Sequence, residues 1–152
     1  MSKRKRRYVI WSIVTVLPLG LIFQDFLLQT YVRLFHGRLE TYATTFLAEA
    51  RSENPFDYGL WAEDGNLDAY GPWETTCWSE RGAVEFATSA FGIVPSTHYK
   101  GFYYSEDNSH MPFQATDIAM TENGDVATWT WQGNYGSSTR ICDHWFWFEA
   151  HF

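Results

Sequence analysis

The strongest indication of the fold of this chain is the stretch Trp145-Phe146-Trp147-Phe148-Glu149-Ala150-His151-Phe152. Successive side chains of a β-strand point to opposite faces of a sheet, so this stretch puts tryptophans on one face and phenylalanines on the other. We predict one strand over 139–152, with Cys142 and His144 on the phenylalanine face. Both faces of the sheet are then aromatic. A helix can cover one of them, and the other needs a loop or a partner or is left bare.

Shorter strand-like runs precede this stretch. They cover 74–79, 83–91, 97–104, 115–120 and 126–132. Glu122-Asn123-Gly124-Asp125 predicts a hairpin, because Asn-Gly readily takes the positive φ angles that a type I′ turn requires. Residues 133–138 predict a looser turn. Hairpins that follow one another along the chain favour an antiparallel meander over a parallel βαβ fold.

The N-terminal region predicts a membrane anchor. Five of the eleven Lys and Arg residues lie in 1–7, directly before the apolar run Tyr8–Leu28. About 20 helical residues span the hydrocarbon core of a bilayer, and basic residues mark its cytoplasmic side. We therefore expect a cytoplasmic tail over 1–7, a single transmembrane helix over 8–28 held in the lipid bilayer, and a periplasmic or extracellular remainder. A cleaved signal peptide is the alternative, although no small-x-small pattern directly follows the apolar run.

The helical pattern continues beyond the predicted span through 29–51. Apolar residues recur there at spacings of three and four, which is the pattern of one helix face. This helix stripe consists of Tyr31, Phe35, Leu39, Tyr42 and Phe46. We expect it to lie on an acidic, aromatic-rich β domain, which we place at 52–152. The predicted fold class is therefore α+β: a long N-terminal helix packed on an antiparallel meander, with one disulfide. Asp25, one turn from the outer end of the span, is interpreted as an interfacial, solvated carboxylate.

Composition argues against a nucleic-acid partner. The chain has 152 residues, 19% of them aromatic, and from Gln29 onward it carries 17 acidic residues against six Lys and Arg. A phosphate backbone needs a basic surface, which such an acidic domain does not provide. The aromatic content likewise excludes a disordered tail.

The two cysteines, Cys77 and Cys142, form an even pair in a domain expected on the oxidising side of the membrane. We predict one disulfide that ties the first predicted strand to the last. A nucleophilic thiol at Cys142-Asp143-His144 and two free buried cysteines are the alternatives.

No motif in the sequence predicts catalysis. The histidines are scattered along the chain: His36, His98, His110, His144 and His151. They form no metal-binding pair on a helix, so we predict neither a metal site nor a cofactor. Glu106-Asp107 and Glu122 could serve as the paired carboxylates of a glycosidase, but they lie in turn-rich segments that normally expose acids to water. We therefore predict that the protein is not an enzyme.

Four tryptophans are the candidate binding residues: Trp129, Trp131, Trp145 and Trp147. If their strands pair, the four indoles form one cross-strand patch. Exposed coplanar rings of this kind stack on sugars or anchor a protein interface. The alternative is that the indoles complete the core.

Two motifs resemble those of small bacterial single-pass membrane proteins that have no known activity. They are Gly101-Phe102-Tyr103-Tyr104-Ser105 and the stretch Trp145–Phe152. The resemblance covers about half of the chain, from Cys77 onward, and implies extracytoplasmic placement without a particular activity. An anchor helix that runs into an antiparallel sheet is also the layout of type IV pilin-like proteins. The processing signature of pilins is missing from 8–28, so the likeness is architectural only.

These observations predict a non-enzymatic accessory subunit at the outer face of the membrane, which binds another envelope or membrane protein through an aromatic sheet face. A cell-surface module that binds glycans through Trp145 and Trp147 is the alternative, and an envelope hydrolase is the third. The oligomeric state is left open.

Overall fold

The chain folds as one N-terminal helix packed on an eight-stranded antiparallel sheet, which confirms the α+β prediction. The structure, a computed structural model, describes residues 3–52, 66–93 and 96–152; within these, the side chains of 3–22, 66–68, 93 and 115 are not described. Residues 1–2 of the predicted tail and 53–65 of the predicted β domain lie outside the described residues.

The sheet consists of two four-stranded meanders. The helix, α1, runs Lys3–Ser52. The strands are β1 Asn66–Tyr70, β2 Trp73–Trp78, β3 Ala83–Ile93, β4 Ser96–Ser105, β5 Thr121–Asn123, β6 Val126–Trp131, β7 Asn134–Cys142 and β8 Trp145–His151. Their order across the sheet is β1-β2-β3-β4-β8-β7-β6-β5, so the meanders β1–β4 and β5–β8 join where β4 pairs with β8. We call this pair the seam.

The prediction of one strand over 139–152 is wrong. β7 and β8 are separate strands that reverse at Asp143-His144, where His144 takes a φ of +64°. The alternation of side chains holds only within β8, and Cys142 faces the same side as Trp145, with which it pairs. A positive φ at a residue that is neither Gly nor Asn is uncommon, so this turn is difficult to predict from the sequence.

The looser turn predicted over 133–138 is also wrong. β6 and β7 reverse at Gln132-Gly133, whose φ angles are +51° and +88°. Positive φ at both central residues is the geometry of a type I′ turn, whose twist matches that of the flanking strands. The hairpin predicted over Glu122-Asn123-Gly124-Asp125 is confirmed, since Asn123 pairs with Val126. Its central residues are Gly124 and Asp125, of which only Gly124 takes a positive φ, so the type I′ turn expected from Asn-Gly is wrong.

The connection between the meanders replaces the strand predicted over 115–120. Residues 106–120 form an irregular segment that leaves β4 at the seam and reaches β5 at the far edge of the sheet. We call this segment the cover loop. Its apolar residues serve to cover the sheet, which explains why they suggested a strand. Conversely, β1 lies before the first predicted strand, in a region where no strand was predicted, and it is an edge strand held by its pairing with β2.

α1 covers one face of the sheet, which we call the helix face. Its core consists of Val32, Leu39, Ala43, Phe46 and Leu47 from α1 and Cys77, Val84, Phe86, Phe102, Tyr104, Ile141, Trp145 and Trp147 from the sheet. Aromatic rings carry most of this contact. Phe86 and Phe102 stack at 4.8 Å between ring centroids, and the ring of Trp73 meets Phe102 edge-on at 5.1 Å.

The helix stripe only partly coincides with the buried face of α1. Leu39 and Phe46 are buried, and Tyr31 and Tyr42 are partly buried against the same core. Phe35 is 43% exposed. The buried face is rotated toward small and aliphatic residues such as Val32, Ala43 and Leu47, which the aromatic pattern did not single out.

The cover loop closes the opposite face, which we call the loop face. Buried there are Ala83, Tyr103, Met111, Phe113, Trp129, Phe146, Phe148 and Ala150. Met111 and Phe113 belong to the cover loop, and Phe113 packs on Phe148 at 5.5 Å. The sheet is therefore the middle of three layers, with both aromatic faces covered by the chain itself.

The predicted disulfide is not formed. Cys77 on β2 and Cys142 on β7 are free, and β3, β4 and β8 lie between their strands. A disulfide requires Cα atoms within about 7 Å, whereas one step between neighbouring strands is already about 4.8 Å. Burial raises the pKa of Cys77 to about 11 and also raises that of Cys142, so both thiols are protonated at neutral pH. This is unfavourable for the alternative of a nucleophilic thiol.

The anchor stays a prediction. Within the part of α1 whose side chains are described, no stretch combines the length and the mean hydropathy of a bilayer span. Most of the predicted span, 8–22, lies outside that part.

Candidate functional site

The four candidate tryptophans do not form one patch. β7 separates β6 from β8, and the register aligns Trp129 with Gly136 and then with Ala150. Trp129 therefore lies on the loop face, whereas Trp145 and Trp147 lie on the helix face. Trp129, Trp145 and Trp147 are 4%, 0% and 4% exposed, so none of them can stack on a sugar.

A glycine explains how Trp129 reaches the loop-face core. A Cβ atom at Gly136 would lie 2.5 Å from the Glu149 carbonyl oxygen and 2.6 Å from the Trp129 indole. The missing side chain thus leaves room for the indole to lie flat against β7. Trp131, two residues further along β6, is 50% exposed.

Most of the exposed apolar surface lies at one end of the molecule. Of the nine large apolar side chains that are exposed among the described residues, six lie at this end: Phe23, Phe26, Leu27, Phe91, Trp131 and Tyr135. We call it the open end. The register brings the strand residues together, because His98 pairs with both Phe91 and His151, and His151 pairs with Tyr135.

α1 reaches the sheet at this end through an ion pair. The Asp25 carboxylate lies 2.6 Å from the Lys100 ammonium, and both side chains are about three-quarters buried. The interpretation of Asp25 as a solvated carboxylate is therefore wrong, because its charge is balanced by the sheet. Contact with the β domain thus reaches into the predicted span, at residue 25.

An apolar groove lies beside this contact. One wall is the first described turns of α1, with Leu27, Leu28 and Tyr31, and the other is the β1–β2 turn, with Tyr70 and Trp73. The cavity measures about 660 Å³ and is open on one side. Among the described side chains, Gln24 is the one amide in its lining, and none of those that line it is charged.

The other end of the molecule is closed by polar contacts. The Asn108 side-chain oxygen accepts hydrogen bonds from the Arg140 guanidinium and from the His144 backbone N–H. The Arg51 guanidinium pairs with the Glu106 carboxylate at 2.7 Å, and this hydrogen bond lowers the pKa of Glu106 below its usual value. Glu106, one of the imagined glycosidase acids, thus has a structural partner at the end of α1.

A cluster of titratable side chains lies on the seam at the open end. His98 on β4 and Glu149 and His151 on β8 place one ligand atom each within 4.8 Å of one another. The imidazoles of His98 and His151 stack with centroids 3.9 Å apart, and the ring of Tyr135 stacks on His151 at 4.4 Å. Burial lowers the pKa of His98, and the neighbouring charges of His151 and Lys100 act in the same direction.

This cluster is not visible in the sequence pattern. Its histidines are far apart along the chain, and only the pairing of β4 with β8 brings them together. The available signal is weak: Glu149 and His151 lie on one face of β8, and His98 lies near the start of β4.

A buried serine–histidine contact lies under the cover loop. The Ser138 hydroxyl lies 2.9 Å from His110 Nδ1 and 2.6 Å from the Tyr103 hydroxyl. Ser138 is fully buried, so a substrate carbonyl has no access to it. The contact instead fixes the cover loop, because the Met111 backbone N–H donates to the same Tyr103 hydroxyl at 2.8 Å.

The comparisons with known proteins give no relative. No protein-family model, curated protein or solved structure matches the chain. The resemblance carried by 101–105 and 145–152 therefore stays a prediction, and the proposals below depend on the geometry of the molecule.

Proposed function

We propose that this protein is a non-enzymatic accessory subunit, anchored in the membrane by its N-terminal helix, which binds another membrane or envelope protein at the open end. The observation that carries the proposal is the apolar groove between α1 and the β1–β2 turn. The binding surface differs from the one expected from the sequence, because both sheet faces are covered by the chain itself.

The chemistry of the groove fits an apolar helix of the partner. Leu27, Leu28 and Trp73 line it, and none of the described lining residues carries a charge that would oppose an apolar occupant. Grooves of this kind bind the apolar face of a helix through residues one and two turns apart.

The apolar surface of the groove continues along one side of α1. Phe23, Leu27 and Leu34 are all exposed, and their spacings of four and seven put them on one side of α1. At 1.5 Å per residue this apolar stripe is about 16 Å long. It runs back along α1 toward the predicted span, so a helix that leaves the bilayer beside α1 could lie along it.

The position of Asp25 limits how far the bilayer can extend. Because residue 25 is paired with the sheet, the proposed span ends by Gln24, which leaves 8–24 for the hydrocarbon core. That length is near the lower limit of about 17 residues for a transmembrane helix. The groove, whose lining includes Phe23 and Gln24, then lies at the outer surface of the membrane, where a second membrane protein would meet it.

Site-specific crosslinking in native membranes tests the proposal. A photoreactive residue at Leu27, in the groove, should give one discrete adduct with a protein partner. The same residue at Thr128, which is exposed on β6 away from the open end, should give none. The second substitution Leu34→Asp should weaken the adduct at position 27, since it places a charge on the same apolar stripe.

Three outcomes would contradict the proposal. Equal labelling at positions 27 and 128 would mean that the groove has no specific partner. An adduct with the mass of a single lipid would mean that lipid fills the groove. An adduct at twice the 17.7 kDa of this chain would identify a second copy in place of another protein.

A further inference from the structure

We infer that His98, Glu149 and His151 form a binding site for a divalent transition-metal ion of the Zn²⁺ type. Two imidazoles and one carboxylate are a ligand set that Zn²⁺ commonly takes in proteins, with a water molecule in the fourth position. The sequence pattern did not reveal the site, and it lies apart from the apolar groove.

The distances are close to those that an ion would impose. His98 Nε2 lies 3.9 Å from Glu149 Oε2, and no pair among the three ligand atoms is more than 4.8 Å apart. A tetrahedral ion with bonds of about 2.0–2.1 Å places its ligand atoms roughly 3.4 Å apart. The ligand atoms therefore need to close by less than about 1.5 Å, which side-chain rotation can supply.

Glu149 is held with one oxygen free for an ion. Its Oε1 accepts a hydrogen bond from Trp147 Nε1 at 3.3 Å and pairs with the Lys100 ammonium at 3.2 Å. Oε2 is thereby turned toward His98. Partners of this kind orient a ligating carboxylate and raise the affinity of metal sites.

His98 supplies a second, independent indication. Its Nε2 is buried and has no hydrogen-bond partner among the described residues. A buried polar atom without a partner is unfavourable, and a metal ion at this position would give the nitrogen the partner that it lacks.

Metal binding would require one rearrangement. The rings of His98 and His151 are stacked with 21° between their planes, whereas ligation needs both ring planes to contain the ion. The rings must therefore rotate out of the stack. Both rings are half-buried and lie outside the core, so they can rotate. The ring of Tyr135 stacks on His151, and His151 can rotate while it keeps this contact.

The charge balance also favours a cation. The Lys100 ammonium is shared by two carboxylates, Asp25 at 2.6 Å and Glu149 at 3.2 Å, so these three groups carry a net charge of −1 beside the two imidazoles. A divalent ion bound here would bridge β4 and β8 and so clamp the seam between the two meanders.

Binding measurements on the untagged full chain in detergent test the inference. Titration with Zn²⁺ should show one bound equivalent and a higher Tm, since an ion that binds only the folded state stabilises it. Co²⁺ should bind in the same place and give the visible absorption of a tetrahedral site. His151→Ala and Glu149→Gln should each lower the affinity by more than the roughly 10- to 100-fold that losing an outer partner costs.

The matched control is His36→Ala. His36 is exposed on α1 and its Nδ1 contacts the Arg33 carbonyl of its own helix, so its removal should leave the affinity unchanged. Unaltered Zn²⁺ affinity in both single variants, His98→Ala and His151→Ala, would overturn the inference. So would the absence of one bound equivalent in a wild-type chain that melts cooperatively. Because Glu149→Gln keeps the shape of the side chain, it separates loss of a ligand from loss of the fold.

Discussion

The two faces of the sheet are aromatic alike, yet they are closed by different means. On the helix face the cover is a helix, which satisfies its own backbone, and the contact consists mainly of packed rings. The Tyr42 and Thr75 hydroxyls, 3.0 Å apart, add a polar contact there. On the loop face the cover is irregular, and side chains of the sheet bind its backbone.

The difference follows from the hydrogen-bonding needs of the two covers. Backbone N–H groups removed from water must find acceptors, and the cover loop has no ladder of its own to supply them. Met111 donates to the Tyr103 hydroxyl, and Gln114 donates to the Glu85 carboxylate at 3.3 Å. An irregular cover therefore requires buried polar side chains on the sheet that accept hydrogen bonds from its backbone. We therefore expect the loop face to be the pH-sensitive one.

The largest expected effect of this difference on stability comes from Glu85, on the loop face. It is buried, and burial raises its pKa from 4.5 to about 7. The unfolded chain then releases the proton near pH 4.5 and the folded chain near pH 7, so stability is full at low pH and falls as the pH rises through this interval. Each pKa unit corresponds to about 1.4 kcal/mol, so the loss by pH 8 is on the order of 3 kcal/mol.

The substitution Glu85→Gln should remove this loss. Chemical denaturation should show the variant and the wild type nearly equal at pH 4, and the variant more stable by on the order of 3 kcal/mol at pH 8. Glu74→Gln, at an exposed position of β2, is the matched control and should leave the pH profile of unfolding unchanged. An identical pH profile for Glu85→Gln and wild type would show that Glu85 does not ionise in this range.

A smaller change in unfolding free energy is expected from substitutions of two consecutive tyrosines that lie on opposite faces of the sheet. Tyr103→Phe removes the acceptor of the buried Met111 N–H, which should cost about 1–3 kcal/mol of unfolding free energy. Tyr104→Phe, on the helix face, removes a hydroxyl that has no hydrogen bond to any described residue, and should cost less than about 0.5 kcal/mol. Equal costs in urea denaturation would contradict the distinction between the faces.

Local patterns in the sequence were enough for part of this fold. The alternation within β8, the hairpin at 122–125 and the packing of a helix on an antiparallel sheet all depend on neighbouring residues. The turn at Asp143-His144 is not predictable from its residues, because it contains neither the glycine nor the asparagine that marks most tight hairpin turns.

The candidate site was hidden for a different reason. His98 and His151 meet only because β4 pairs with β8, although β5, β6 and β7 lie between these two strands along the chain. Trp129 is separated from Trp147 only because β7 lies between their strands in the sheet. Such long-range neighbours depend on strand order. One sequence does not encode strand order in a local pattern.

With both faces closed by the chain, contact with a partner is assigned to the open end. The most direct test is the size of the native complex extracted from membranes in mild detergent, compared between two variants. Leu27→Ser combined with Leu34→Ser removes two of the three apolar side chains of the stripe, and Val126→Ser removes an exposed apolar residue on β6, next to the edge strand β5. We expect the stripe variant, still folded by its melting curve, to migrate as the free subunit while Val126→Ser stays in the wild-type complex. A stripe variant that keeps the wild-type size would contradict this assignment.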